Sequence, residues 1–182
     1  MANRIFESPH TPTDSTSCSL NSIENKIIKL DEVSQSRGEK VVLCHGHFNI
    51  IHPGHIRYLD YARQQASKLV VSIEGEASFL NSDRKHHFSE DDRATGVASI
   101  QTVDLVVLLG EGNLEKLIKV LNPAVLVLGK EFESERDDQV RDAVQLMKRQ
   151  GGETLFHAGE THYASADLLR DNLPNLHNQY IK

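Results

Sequence analysis

The chain has 182 residues, 38% of them hydrophobic, which is enough material for one domain with a substantial core. A formal charge of −6 argues against nucleic acid or a membrane surface as the main partner, although a local basic pocket for phosphates stays open. No run is long enough to span a bilayer, no secretory leader follows Met1, and the two cysteines, Cys18 and Cys44, make no disulfide framework, so a cytoplasmic setting is expected.

Residues 1 to about 20 are rich in Ser, Thr and Pro without apolar periodicity, and a tail is expected there, with the domain occupying residues 21–182. Ile23, Ile27, Ile28 and Leu30 then suggest a short helix or packed segment. Val41 to Cys44 is an apolar run too short for a helix, read as a buried strand, and Gly46 marks the turn after it. Pro53 suits a first helical position, because the N–H it lacks would be unpaired there, and Ile56, Leu59, Ala62 and Ala66 follow at helical spacing. Lys68 to Ile73 is a second strand, closed by Glu74 and Gly75. A polar loop from Phe79 to Glu90 leads to Ser89, an N-cap whose acidic first turn opens a helix carrying Arg93, Ala94, Val97 and Ile100.

Val103 to Gly110 is a third strand, and Leu114, Leu117, Ile118 and Leu121 make a helix that Pro123 stops. Ala124 to Gly129 is a fourth strand; Ser134 is expected to cap a helix that Gly151 ends; Glu153 to His157 is a fifth strand; and Ser165 is placed at the start of a last helix through Leu168 and Leu169. Near-continuous apolar strands alternating with helices imply an α/β fold, a parallel sheet of about five strands with helices on both faces. Ligands in such sheets bind beyond the strands' carboxyl ends, which puts Gly46, Glu74, Gly110 and Gly129 on one rim with the 79–90 loop above it.

The chemistry concentrates in VVLCHGHFNIIHPGHIRYLDYAR, residues 41–63. A strand, a glycine turn and a helix N-terminus in succession form an anion site, because the first helical N–H groups are unpaired and the macrodipole adds positive charge. His52 and His55 lie three apart on the first turn, so both imidazoles can address an anion bound there. In an in-line displacement at an α-phosphate, donors held in advance against the equatorial oxygens lower the barrier, and that is the role expected of the pair. An isolated pair at this spacing more often just caps a helix; the company of Gly46, Phe48, Pro53 and Gly54 favours the functional reading. With His45 and His47 the motif holds four histidines, but the turn at Gly46 works against convergence on one ion, so no protein-bound metal is expected, only Mg2+ arriving with a nucleotide.

The run GHFNIIHPGHIRYL resembles the G-x-F-D-x-x-H-x-G-H signature of the cytidylyltransferase-like nucleotidyltransferases, above all the adenylyltransferase domain of the bifunctional heptose-phosphate enzymes, and the similarity extends from about Lys26 to Leu173. The resemblance implies a Rossmann-like fold and transfer of AMP or CMP from ATP or CTP onto a phosphorylated sugar or polyol, with release of pyrophosphate. It implies that Gly46, His47, Phe48 and Gly54 cradle the triphosphate beside His52 and His55, that Gly129 and Lys130 contact the nucleotide, and that Ser165 meets the outer phosphates. Arg93 and Asn49 fall where the family contacts acceptor or phosphate; for Arg93 the alternative is an exposed helix arginine paired with a neighbouring acid, and for Lys85, His86 and His87 a solvated charge run outweighs phosphate binding.

The departures cluster at these contacts. Asn49 replaces the signature Asp, Asn81 and Leu128 stand at family lysines, and Ala164 and Ala166 flank Ser165 where hydroxyls are usual. They lead us to expect either an acceptor other than heptose phosphate or a nucleotide-binding module with little turnover that serves as a partner or regulatory domain. A class I aminoacyl-tRNA synthetase fragment shares the H-x-G-H element, but no K-M-S-K-S-like loop or basic surface accompanies it. The identity of the base stays open at this stage, and so does a homodimer.

Overall fold

The computed structural model describes residues 23–34, 39–76, 88–134 and 138–157. The expected tail, the last helix with Ser165, and Asn81, Lys85, His86, His87, Ala164 and Ala166 lie outside these residues. Among the described residues the chain forms six strands in one wholly parallel sheet. They are β1 (Ile27–Lys29), β2 (Val41–Gly46), β3 (Lys68–Ile73), β4 (Leu105–Leu108), β5 (Val125–Gly129) and β6 (Glu153–His157), joined in part by helices α1 (Pro53–Arg63), α2 (Glu90–Ala98), α3 (Leu114–Leu121) and α4 (Asp138–Arg149).

The spatial order is β1-β4-β3-β2-β5-β6. From β2 the chain steps outward through β3 to β4, then returns across the sheet to β5 and on to β6. The order reverses between β2 and β5, and in open parallel sheets a crevice forms at the strand carboxyl ends at that point. The loop after β2 is therefore at the ligand-binding position of the architecture.

The period-2 alternation of the strands divides the core. Val42, Cys44, Leu69 and Val71 pack on one face with Leu59 and Ala62 of α1 and Ala94 and Val97 of α2. Val41, Leu43, Val70 and Leu126 pack on the other with Leu117 and Leu121 of α3 and Ala143 and Met147 of α4. Helices cover both faces, so central strands such as Val41–Cys44 carry apolar side chains at every position. Each fully buried Leu or Val contributes roughly 1.5–3 kcal/mol of transfer free energy, which makes this two-sided core the main stabilising term.

Two sequence expectations need correction. Ile27 to Lys29 is not helical but an edge strand, paired with Val106 to Leu108 and followed by a 3-10 turn, Leu30–Glu32. β2 extends through His45 and Gly46, because both continue the ladder with Ser72 and Ile73. Ser134 ends a 3-10 turn, Lys130–Ser134, and α4 is described from Asp138, so the start of that helix lies outside the described residues. The Ser89 cap is present as expected, its Oγ accepting from Asp92 N–H at 3.1 Å.

Candidate active site

The site begins where β2 ends at Gly46. Phe48 turns the chain with φ at 51°, a left-handed backbone that costs a side-chain-bearing residue about 1–3 kcal/mol. Burial of its ring, only 4% exposed, offsets that strain. A Cβ on Gly46 would approach the Phe48 ring to 3.1 Å, so the glycine leaves the turn room to close. The Phe48 ring lies 5.1 Å from that of His55 and 6.4 Å from that of Tyr58, and forms the apolar floor of the turn.

His52 is the N-cap of α1: its Nδ1 accepts the Gly54 N–H at 3.1 Å, and Pro53 follows at the first helical position. An Nδ1 that accepts cannot carry the proton, so the neutral ring bears it on Nε2 as a donor. His55 stacks on His52 with centroids 3.9 Å apart and planes 24° from parallel. Burial lowers the His55 pKa to about 4, the neighbouring His52 adds to the effect, and the Ile50 carbonyl opposes it. Burial lowers His52 as well. The pair is therefore neutral at neutral pH, and His55 Nδ1 is a buried nitrogen without a hydrogen-bond partner in the described structure.

The other motif residues separate into distinct roles. His45 is buried and bonds Ser72 Oγ at 3.0 Å; since that hydroxyl donates to the Cys44 carbonyl, His45 Nδ1 is the donor. His47 is half exposed and pairs with Glu74 Oε2 at 3.0 Å across the ends of β2 and β3. Burial pushes the Cys44 thiol up to about 12, against a weaker contribution from Tyr58, so this cysteine is no nucleophile at neutral pH. Tyr58 Oη donates to the Val127 carbonyl at 2.5 Å and ties α1 to β5 across the switch point. Among the described residues no group of three His, Cys, Asp or Glu side chains is placed to hold a metal ion.

Arg93 is only 2% exposed, unlike a surface helix arginine. Its Nε donates to the Phe88 carbonyl at 3.1 Å, and its two terminal nitrogens donate to the His47 and Glu74 carbonyls at 2.8 Å each. Asn49 lies on the same side, its Oδ1 accepting the Phe88 N–H at 2.8 Å. Gly129 closes β5 and the exposed Lys130 opens the 3-10 turn after it. Leu128 is fully buried in the core on the α3 and α4 face. His52, His55, Phe48 and Gly54 thus form one cluster at the α1 N-terminus, while Asn49 and Arg93 organise the neighbouring rim over β3. Glu74 lies on the rim as expected from its place at a strand's carboxyl end, whereas Phe88 is a rim residue that the sequence did not single out.

A family model described as cytidylyltransferase-like matches residues 43–172, well over half of the chain. The chain belongs to the cytidylyltransferase-like family. Its curated relatives include the bifunctional protein HldE of Magnetococcus marinus, 37% identical over 119 residues, covering 64% of this chain and 24% of that protein. The protein of the same name from Aliarcobacter butzleri is 33% identical over 127 residues, covering 68% of this chain and 27% of its own length. The chain thus spans about a quarter of the length of the curated relatives it matches. A solved lipopolysaccharide core biosynthesis protein from Thermoplasma volcanium superposes with a TM-score of 0.56 at 22% identity, over 68% of this chain and all of that one. Pantoate-beta-alanine ligase from Francisella tularensis follows with 0.54 at 17%, over 72% and 66% of the two chains. At such identities the likeness establishes the Rossmann-like fold. The family establishes a nucleotidyltransferase-type enzyme domain.

Proposed function

We propose that this cytidylyltransferase-like domain transfers AMP or CMP from ATP or CTP to a phosphorylated sugar or polyol other than heptose phosphate, releasing pyrophosphate. The observation that carries this reading is the stacked, neutral His52–His55 pair at the N-terminus of α1, at the sheet's switch point. Mg2+ would arrive with the nucleotide and would supply neutralisation of its phosphate charge. The nucleotide's phosphates lie at the N-terminus of α1, where the macrodipole favours anions.

His52 donates from Nε2 to a non-bridging oxygen of the α-phosphate, and its cap bond to Gly54 holds the ring in place for that contact. His55 stacks behind it and gains a partner when the triphosphate arrives. An oxygen of the acceptor's own phosphate attacks the α-phosphorus; the bond from that phosphorus to the bridging oxygen breaks, and pyrophosphate leaves. A phosphate dianion is already nucleophilic, so no general base is needed. The reaction remains cytoplasmic in this reading, and nucleic acid has no part in it.

Two observations favour the second reading, a nucleotide-binding module of low turnover: Leu128 directs an apolar side chain into the core where the family resemblance implies a lysine, and Asn49 is neutral with its carbonyl oxygen engaged by Phe88. A pyrophosphate-release screen of ATP and CTP against sugar and polyol phosphates separates the two. Turnover with at least one acceptor supports transfer. Nucleotide binding without pyrophosphate release overturns it in favour of the module.

A further inference from the structure

Phe88 is the most exposed of the large apolar side chains among the described residues, with 58% of its surface open. A solitary exposed phenylalanine on a loosely held segment means little. Phe88, however, is held through both of its backbone groups. Its N–H donates to Asn49 Oδ1, three positions before His52, and its carbonyl accepts from Nε of the buried Arg93. The same guanidinium takes the carbonyls of His47 and Glu74, so the ring is mounted on a frame that also fixes the ends of β2 and β3. Ile50, next to Asn49, is also open on this stretch of the motif loop, at 40%.

We propose that the Phe88 ring is a specificity-determining platform for the acceptor, packing against the apolar C–H face of a pyranose. The inference rests on the transferase reading above and adds the class of acceptor: a ring-form sugar phosphate rather than an acyclic polyol phosphate. Chemistry and position agree. The phosphates of the nucleotide occupy the α1 N-terminus, and Phe88 borders that loop on the β3 side. A held aromatic ring offers a flat apolar surface at little entropic cost, and a sugar ring presents a matching face that water solvates poorly.

The test uses steady-state kinetics of the full chain with the pyranose phosphate that the parent protein uses in the screen, and with glycerol 3-phosphate as the acyclic comparison. Phe88→Ala should raise the acceptor KM for the pyranose phosphate about 3- to 10-fold, leaving kcat and the nucleotide KM within about twofold. Phe88→Tyr should restore the parent value, and Phe88→Leu should not. Because the side chain is mostly exposed, an unchanged Tm is expected and separates this effect from unfolding. An unchanged pyranose KM in Phe88→Ala overturns the platform, as does full rescue by Phe88→Leu. A parent protein that uses only acyclic acceptors overturns the platform and leaves the transferase reading standing. A parent that releases no pyrophosphate with any acceptor overturns the transferase reading and the platform with it.

Discussion

Arg93→Met removes a buried charge that three backbone carbonyls share, while keeping an unbranched side chain of similar length. The carbonyls of Phe88, His47 and Glu74 lose donors at 3.1, 2.8 and 2.8 Å in a partly buried region. A hydrogen bond from a charged group contributes roughly 1.5–3 kcal/mol net, and breaking a buried network costs about 3–5 kcal/mol because the contributions are not additive. Burial of the guanidinium and the release of Glu90, Glu74 and Glu76 from its field act in opposite directions, so the lower part of that range, about 3 kcal/mol, is expected. Urea unfolding followed by far-UV circular dichroism should then show a midpoint lower by roughly 1–3 M at an unchanged slope. Arg93→Lys keeps the charge but reaches fewer carbonyls, and should fall between the two proteins. A midpoint shift under about 0.3 M for Arg93→Met would show that the three carbonyls are satisfied without the guanidinium, and the account of the rim given above would be wrong.

Other consequences follow from the histidine pair. His52→Asn keeps a good N-cap while removing the Nε2 donor, so stability should stay within about 0.5 kcal/mol of the parent while kcat falls by about 10² to 10³; an unchanged kcat would mean that the ring serves only as a cap. His55 has a folded pKa of about 4 against an ordinary value of 6.5, so the unfolded chain binds the extra proton between those values. Its contribution is fully present above about pH 6.5 and is lost as pH falls towards 4, on the order of 3 kcal/mol, and the acid side of a stability profile should flatten in His55→Asn.

The parts of the fold with local chemical signals were legible in the sequence. Pro53 and Ser89 announce their helices because a missing N–H and a capping hydroxyl act within one turn, and the apolar runs at Lys68–Ile73 and Val125–Gly129 are long enough to show no helical period. β1 was missed because its three residues become a strand only through pairing with Val106 to Leu108, about 80 positions away, and its spacing suits a helix equally well. The surroundings of Arg93 could not be read for a related reason. Its partners are main-chain carbonyls 5, 19 and 46 positions distant, and a carbonyl has no side-chain identity for a sequence to display.

The sheet order also bears on how such a domain diversifies. In the proposed reading the phosphate cradle hangs from β2 and α1, braced against β5 through Tyr58, whereas Glu74 and Phe88 belong to the segments that follow β3 and precede α2. Mutational drift along the β3 side can therefore reshape what the enzyme accepts without disturbing how it grips its donor, and a lineage can exchange one product for another while keeping its chemistry. Arg93 limits that freedom. By holding the ends of β2 and β3 in one guanidinium it couples the two halves, so variation is tolerated around it far more readily than at it.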